Sequence, residues 1–339
     1  MRQNEIPPFY FPTTVVFIDD SPDFLANLSL QLDAGLAYRL YDSPAEALAV
    51  LNGAPAEPSL AERFFSVSRH GEELPFSHHV IDLNLDAIAR EVHNEHRFEQ
   101  VSVVVVDYDM PEIDGLELCR RLGNPTLKKV LLTGKADEKV AVQAFNQGLI
   151  DRFILKQDPD VIPVLNRAIV DLQLAYFESL GRTVMDTLAL GSHAFLRDPV
   201  FAEEFRQICN RLDIVEFYLT ALPEGILMLD ADGVASLLIV QTEEDMLSHY
   251  EIAYDQAAPP PLLSALKSNR MVPYFWQTGG EYGPDCDWQS CLYPATELKG
   301  REWYYYAVVP NPAGFQLGTV IPYNAFLVWL DKESSASFA

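Results

Sequence analysis

The sequence predicts an α/β architecture for the first half of the chain and an α+β module for the second. Three observations carry this. Short apolar runs without polar alternation, Val15-Val16-Phe17-Ile18 and Val103 to Val106 foremost, read as strands buried on both faces. Helical patterns opening on Ser21-Pro22 and Ser43-Pro44 separate such runs, which is the alternation of a parallel sheet. Beyond Ser192 the order changes to two strands around Asp232-Gly233, then two helices, then aromatic strands.

With 339 residues, 49% hydrophobic and 22% charged, the chain is long enough for two domains with cores of their own. No apolar run approaches the ~18 residues of a membrane span. The N-terminus lacks a signal-peptide apolar region, so the expected location is the cytoplasm. Cys119, Cys209, Cys286 and Cys291 are too scattered for a disulfide framework and read as free thiols. Cys286 and Cys291 alone make a weak zinc motif, because structural zinc takes four ligands. The net charge is −25, with 15 basic and 28 acidic residues up to position 180 and 9 and 21 after it. Neither half offers the basic face that phosphate neutralisation requires, which disfavours DNA binding.

In chain order, the strand Val15 to Ile18 ends in Asp19-Asp20, and Ser21 suits the N-cap of a helix with Pro22 in its first position. Tyr38 to Tyr41 is a short second strand, followed by a helix from Pro44. Residues 52 to 100 begin with a turn-rich piece and include a helix expected over Asp86–Arg97 with Asn84 as N-cap. This stretch holds His70, His78, His79, His93 and His96; the last two, at i and i+3, share a helix face and suit either a metal, with Glu91 or Glu95, or plain solvent.

Val101 to Asp107 is the central strand, and its carboxyl end delivers Asp107 to the edge where open α/β sheets bind ligands. Leu116 to Leu122 forms a short helix. Lys128 to Leu132 forms a strand delivering Thr133, and Asp137 to Leu149 a helix. Asp151 to Leu155 is a fifth strand closed by Lys156. From Val161 an apolar stripe (Val161, Val164, Leu165, Ala168, Ile169, Leu172, Ala175) marks one helix face, which Tyr176 to Leu190 prolong. That helix either packs on the sheet or serves as a dimer-forming connector.

The motif D-x-x-x-P-x-x-D-G, met as Asp107, Pro111, Asp114 and Gly115, resembles the phosphoacceptor segment of two-component receiver domains. Asp19-Asp20, Thr133 followed by Gly134, and Lys156 fall in the family's order. The resemblance covers about residues 12–175. It implies a doubly wound, flavodoxin-like (CheY-like) sheet of five parallel strands, with an insertion at about 52–100. It implies Asp107 as phosphoacceptor, Thr133 and Lys156 as groups that contact the phosphoryl oxygens, and Thr133 with Phe153 as the switch pair. Mg²⁺ is then held by Asp20 directly, Asp19 through water, Asp107, and the backbone carbonyl of Asp109. A cation is physically reasonable, since two carboxylates ~5 Å apart at an effective dielectric near 20 repel by roughly 3 kcal/mol.

The resemblance further implies a histidine kinase or phosphotransfer protein as partner. Asp109 and Lys135 flank the path of hydrolytic water in the family, and pairing between them would slow dephosphorylation. Gln157 stands where the family usually has proline after the lysine, so its usual cis bond is not expected. A haloacid-dehalogenase phosphatase, suggested by Asp107-Tyr108-Asp109, is the alternative of another class, but there the nucleophile strand comes first and the acid pair last.

The remainder divides into a connector over 176–191 and an α+β domain over 192–339. Asp198-Pro199 opens a helix to about Leu212, and Leu222 to Gly233 resembles the opening hairpin of PAS-type domains. His193 and His249 read as capping or surface residues. No acid, base or metal cluster suggests catalysis in this half. The expectation is therefore a cytoplasmic response regulator, not an enzyme, with a non-DNA-binding output; an enzymatic output switched by phosphorylation is the competing reading.

Overall fold

A computed structural model of the chain describes residues 4–53, 58–68, 80–134, 138–188 and 193–337. They fall into two compact units. One comprises Pro12–Ser59, His96–Leu180 and Ala325–Ala339, the other Met1–Phe11, Leu60–Glu95 and Gly181–Asn324. No helix among the described residues is long and apolar enough to cross a membrane.

The chain opens with β1 (Phe9–Tyr10), β2 (Thr14–Ile18), α1 (Pro22–Ser29), β3 (Tyr38–Tyr41) and α2 (Pro44–Leu51). Next come α3 (Leu60–Phe64), β4 (Phe65–Ser68), β5 (Val80–Leu83) and α4 (Leu85–Arg90). They lead to β6 (Val101–Asp107), α5 (Gly115–Arg121), β7 (Lys128–Thr133), α6 (Glu138–Asn146), β8 (Arg152–Leu155) and α7 (Val161–Leu188). The rest is α8 (Pro199–Arg211), β9 (Ile214–Thr220), β10 (Gly225–Asp230), β11 (Ala235–Thr242), α9 (Glu243–Asp255) and α10 (Pro260–Lys267). Last are β12 (Met271–Pro273), β13 (Leu292–Pro294), β14 (Thr296–Lys299), β15 (Trp303–Pro310) and α11 (Tyr323–Ser337).

In the first unit five parallel strands lie in the order β3-β2-β6-β7-β8. The uniform valine runs are explained by cores on both faces. Val16, Ile18, Val104 and Val106 face a layer that includes Ala47 of α2, Leu116 and Leu118 of α5, and Ala141 and Ala144 of α6. Val15, Phe17, Val103 and Val105 face Leu25 and Leu28 of α1 and Leu165, Ala168, Ile169 and Leu172 of α7. Alternating along a strand therefore exchanges one apolar layer for another, and no polar position is needed.

Side-chain caps set the helix starts. Ser21 accepts from the Phe24 amide, Ser43 from Glu46 and Asp114 from Glu117, each worth about 1 kcal/mol.

The second unit carries an antiparallel sheet in the order β1-β9-β10-β11-β15-β14. Its hairpin β10–β11 turns at Gly233, where φ is +81° and a side chain would be strained. Thr242 and Asp245 form a reciprocal capping box at the start of α9. The expected hairpin is present, but a hairpin belongs to many antiparallel sheets and assigns no family.

Several boundaries differ from the sequence expectations. The helix expected over Asp86–Arg97 begins after Asn84 but ends at Arg90, and Glu91–His93 and Arg97–Glu99 are separate 3-10 turns. Buried Glu91 bonds Arg63 and Asn94 at 2.9 and 2.8 Å, which ties this stretch to its own unit. Residues 60–95, read as an insertion in the first domain, cluster with Gly181–Asn324 instead. Here Phe9 of β1 meets Phe64 edge-on with centroids 5.1 Å apart, and α4 packs on β9. The helix begun at Val161 does run on through Tyr176, as its apolar stripe indicated, and is continuous to Leu188. Helix α11, which sequence reading did not anticipate, belongs from Ala325 onward to the parallel-sheet unit. There Phe326 packs on Phe98 at 5.5 Å between centroids and Glu333 pairs with Arg39 at 2.9 Å.

Candidate functional site

Register alone brings the acids together. Ile18 of β2 is the lateral partner of Val106 of β6, so Asp19 and Asp107, the next residues along, lie side by side at the carboxyl edge of the sheet. This is also where the strand order reverses, the crevice in which open α/β sheets hold ligands. One oxygen each from Asp19, Asp20 and Asp107 can be chosen so that all lie within 4.8 Å of one another. Asp19 and Asp107 are buried at 2% and 6% exposure, whereas Asp20 is exposed.

Asp107 pairs laterally with Leu132, so Thr133 stands one residue further along β7. The Lys156 amide donates to the Thr133 carbonyl at 2.9 Å, which extends the β7–β8 ladder by one bond and fixes the lysine at the same edge. Its ammonium then reaches across to Asp19 Oδ2 at 2.7 Å and Asp107 Oδ1 at 2.8 Å. Burial alone would weaken the lysine's hold on its proton. The bonds to the two carboxylates outweigh it, and the Lys156 pKa lies above its ordinary value.

Asp19 is positioned from both sides, its Oδ1 accepting from the Ser21 amide at 3.0 Å and its Oδ2 from Lys156. Phe24, in the first turn of α1, lies with its ring 4.4 Å from the Lys156 ammonium. That cation–π contact, worth about 0.5–1 kcal/mol or more when desolvated, was missed by sequence reasoning. A signal existed in the apolar residue that follows the acid pair and its cap.

The turn after β6 is closed by Gly115, whose amide donates to the Tyr108 carbonyl at 3.0 Å. A Cβ on Gly115 would stand 2.2 Å from the Asp107 carbonyl oxygen, so only glycine permits this approach. Thr133 is fully buried and its hydroxyl donates to the Gly134 carbonyl at 3.2 Å. Phe153 on β8 is partly buried, with its ring edge-on to Phe145 at 6.5 Å. Asp109 is exposed in the loop beyond Asp107. The Lys156-Gln157 bond is not among the cis peptides, of which Leu222-Pro223 is the one found in the described residues.

Lys135, His70, His78 and His79 lie outside the described residues. His93 and His96 are both exposed but sit in different elements, and His96 Nδ1 is 2.8 Å from Glu99. Because the expected helix ends early, the two histidines do not share a helix face. His193 is buried rather than at the surface, with Nε2 3.1 Å from the Thr220 carbonyl, and His249 Nε2 lies 3.0 Å from Gln241.

Residues 79–164 match the family model of the response regulator receiver domain. The structure of the Legionella pneumophila response regulator LqsR is similar at 42% sequence identity and a TM-score of 0.79, covering 97% of this chain and 97% of that one. An adenylate cyclase structure from Rhodopirellula baltica is 20% identical, with a TM-score of 0.34, over 53% of this chain and 99% of that one. A CheY-like response regulator receiver domain protein from Methanospirillum hungatei JF-1 is 17% identical, with a TM-score of 0.31, over 50% of this chain and 98% of that one. No curated protein matches.

Proposed function

The chain belongs to the response regulators of two-component signalling, and from that premise we propose that Asp107 is its phosphoacceptor, loaded by a histidine kinase or phosphotransfer protein. The observation that carries the reading is the convergence of Asp19, Asp20, Asp107 and Lys156, drawn from three strand ends, at one edge of the parallel sheet.

The donor set fits Mg²⁺, a hard cation that takes oxygen ligands and keeps several waters. Asp19, Asp20 and Asp107, with the backbone carbonyl of Asp109, would hold it. When bound, the ion neutralises negative charge on the transferred phosphoryl group. An Asp107 carboxylate oxygen forms the new bond to phosphorus as the bond to the donor histidine breaks, and the imidazole leaves with that electron pair. Lys156, now freed from one carboxylate, pairs with a phosphoryl oxygen as a point charge. The Thr133 hydroxyl exchanges its bond to the Gly134 carbonyl for one to the phosphoryl group, and Phe153 on β8 responds to that movement.

The second unit acts as an output that does not bind DNA, in keeping with the acidic balance of both halves. Residues 12–175, less the segment 60–95, form the receiver; the helix from Val161 leads to the output and is the candidate dimer element. The setting is the cytoplasm. Beryllofluoride, a mimic of the phosphoryl group, tests the reading by calorimetry with and without Mg²⁺. Saturable, Mg²⁺-dependent binding that Asp107→Asn abolishes supports it; no binding, or binding unaffected by Asp107→Asn, contradicts it.

A further inference from the structure

Cys286 and Cys291 face each other in the antiparallel-sheet unit, with their Sγ atoms 3.8 Å apart. Both are buried, at 9% and 6% exposure, in an apolar cluster with Ala253 of α9, Leu262 and Leu266 of α10, Phe275 and Tyr282. Zinc does not account for the meeting. Among the described residues no further histidine, cysteine or carboxylate joins the two sulfurs, and structural zinc takes four ligands.

The two sulfurs are held differently. Cys291 closes a 3-10 turn, Trp288–Cys291, and its carbonyl accepts from the Tyr274 amide at 2.7 Å, next to the β12–β13 ladder. Cys286 is tied within its own loop, its amide donating to the Gly283 carbonyl at 3.0 Å and its carbonyl accepting from the Trp288 amide at 2.9 Å. A disulfide brings sulfurs to ~2.05 Å, so the pair must close by about 1.8 Å, a distance that thiol rotation and a small shift on the Cys286 side can supply. Burial, and then the bond to the Cys291 thiol, hold the Cys286 pKa above the ordinary thiol range. A stabilised thiolate is what makes a disulfide easily reduced, and this pair lacks that stabilisation. The neutral disulfide suits the same apolar surroundings.

We propose that Cys286 and Cys291 form a redox-active dithiol, converted to an intramolecular disulfide by a low-molecular-weight disulfide. Cys286, the more exposed of the two, gives its proton to water, and its thiolate attacks one sulfur of the small disulfide. That S–S bond breaks, and the first small thiol leaves with the electron pair and takes up a proton. Cys291, deprotonated in turn, attacks the Cys286 sulfur of the mixed disulfide, and the second small thiol leaves in the same way. Two protein thiols are oxidised, one small disulfide is reduced to two thiols, and no net proton is gained or lost. In a reducing cytoplasm the dithiol is the resting state, and the disulfide forms under oxidising conditions. The bond joins the Cys286 loop to the Cys291 end of the β12–β13 ladder, which gives this unit an input separate from Asp107.

The test equilibrates the full chain in glutathione buffers of graded oxidised-to-reduced ratio, followed by acid quench, alkylation under denaturing conditions, trypsin digestion and mass spectrometry. Both cysteines fall in one tryptic peptide, residues 271–299, which holds no other cysteine. That peptide is expected to turn up unalkylated and lighter by two hydrogens, while Cys119 and Cys209 stay alkylated. The folded chain should reach half oxidation at a ratio about tenfold or more lower than the chain in urea, because the fold holds the sulfurs together. Cys291→Ser in excess oxidised glutathione should stop at the mixed disulfide, with one glutathione kept on Cys286. A peptide that stays reduced across the series would overturn the assignment. So would equal midpoints for folded and unfolded chain, or a Cys291→Ser protein that takes no glutathione on Cys286.

Discussion

The Lys156 ammonium lies between two carboxylates of neighbouring strands, 2.7 Å from Asp19 and 2.8 Å from Asp107. With a side-chain exposure of 24% against 3% and 8% for its partners, the lysine is the more open member of a largely buried triad. It offsets the repulsion that the two acids would otherwise exert on each other. On the proposed phosphorylation of Asp107, the lysine has to exchange partners rather than merely be present.

Lys156→Gln leaves two buried carboxylates without their counter-charge. Breaking a buried pair costs about 3–5 kcal/mol, and the partial exposure of the lysine lowers the expectation to about 1–3 kcal/mol. The loss should be largest without divalent cation, and millimolar MgCl₂ should recover more stability in the variant than in the wild type. Chemical denaturation with and without MgCl₂ measures both; an equal response of the two proteins to Mg²⁺ would argue against a shared site.

Asp20 makes the opposite case. It is exposed, so Asp20→Asn should leave the Mg²⁺-free fold within about 0.5 kcal/mol of wild type. Mg²⁺ affinity, followed by calorimetry, should nevertheless fall about tenfold or more, because one of three carboxylates converging within 4.8 Å is lost.

Gly115→Ala would press a methyl group to 2.2 Å from the Asp107 carbonyl oxygen. The backbone must shift, at a cost of about 1–3 kcal/mol, and the shift falls on Asp107, the proposed phosphoacceptor. Stability and the rate of phosphorylation should fall together. A variant with a normal rate would show that the turn does not position Asp107.

Glu224 supplies a pH signature in the other unit. Burial raises its pKa to about 7, and the raising effects of Asp245 and Glu302 add to it, against the bond from the His193 amide. The folded chain thus keeps a proton on this carboxyl that the unfolded chain has already lost, and binds more protons across that window. The stability contribution is complete in acid, below the ordinary carboxylate range, and is lost as pH rises through about 7, by up to about 3 kcal/mol. Denaturation midpoints between pH 5 and 8 should fall more steeply for wild type than for Glu224→Gln; identical slopes would place the effect elsewhere.

The sequence made the site legible because buried parallel strands are written as unbroken apolar runs, and each run points at the residue that follows it. Val103 to Val106 led to Asp107, and Val15 to Ile18 led to Asp19 and Asp20, without any structure. Ser21, Ser43, Asn84 and Asp198 were equally readable, since a cap needs only its own side chain and the next turn. What stayed hidden depends on partners distant in sequence. Two-residue β1 is a strand only through its pairing with Phe217 and Tyr218. The allegiance of residues 60–95 is set by contacts such as Phe9 with Phe64, and that of the C-terminal helix by Phe98 with Phe326 and Arg39 with Glu333. His193 gave no sign of being buried, because its position rests on Thr220 and Glu224 about thirty residues away.

The central claim is that the edge formed by Asp19, Asp20, Asp107 and Lys156 accepts a phosphoryl group on Asp107. Intact-mass spectrometry of the full chain after incubation with acetyl phosphate and MgCl₂ tests it most directly. The account predicts a single added phosphoryl group that requires Mg²⁺ and disappears in Asp107→Asn. An unmodified wild-type mass, or a phosphoryl group retained by Asp107→Asn, would contradict it.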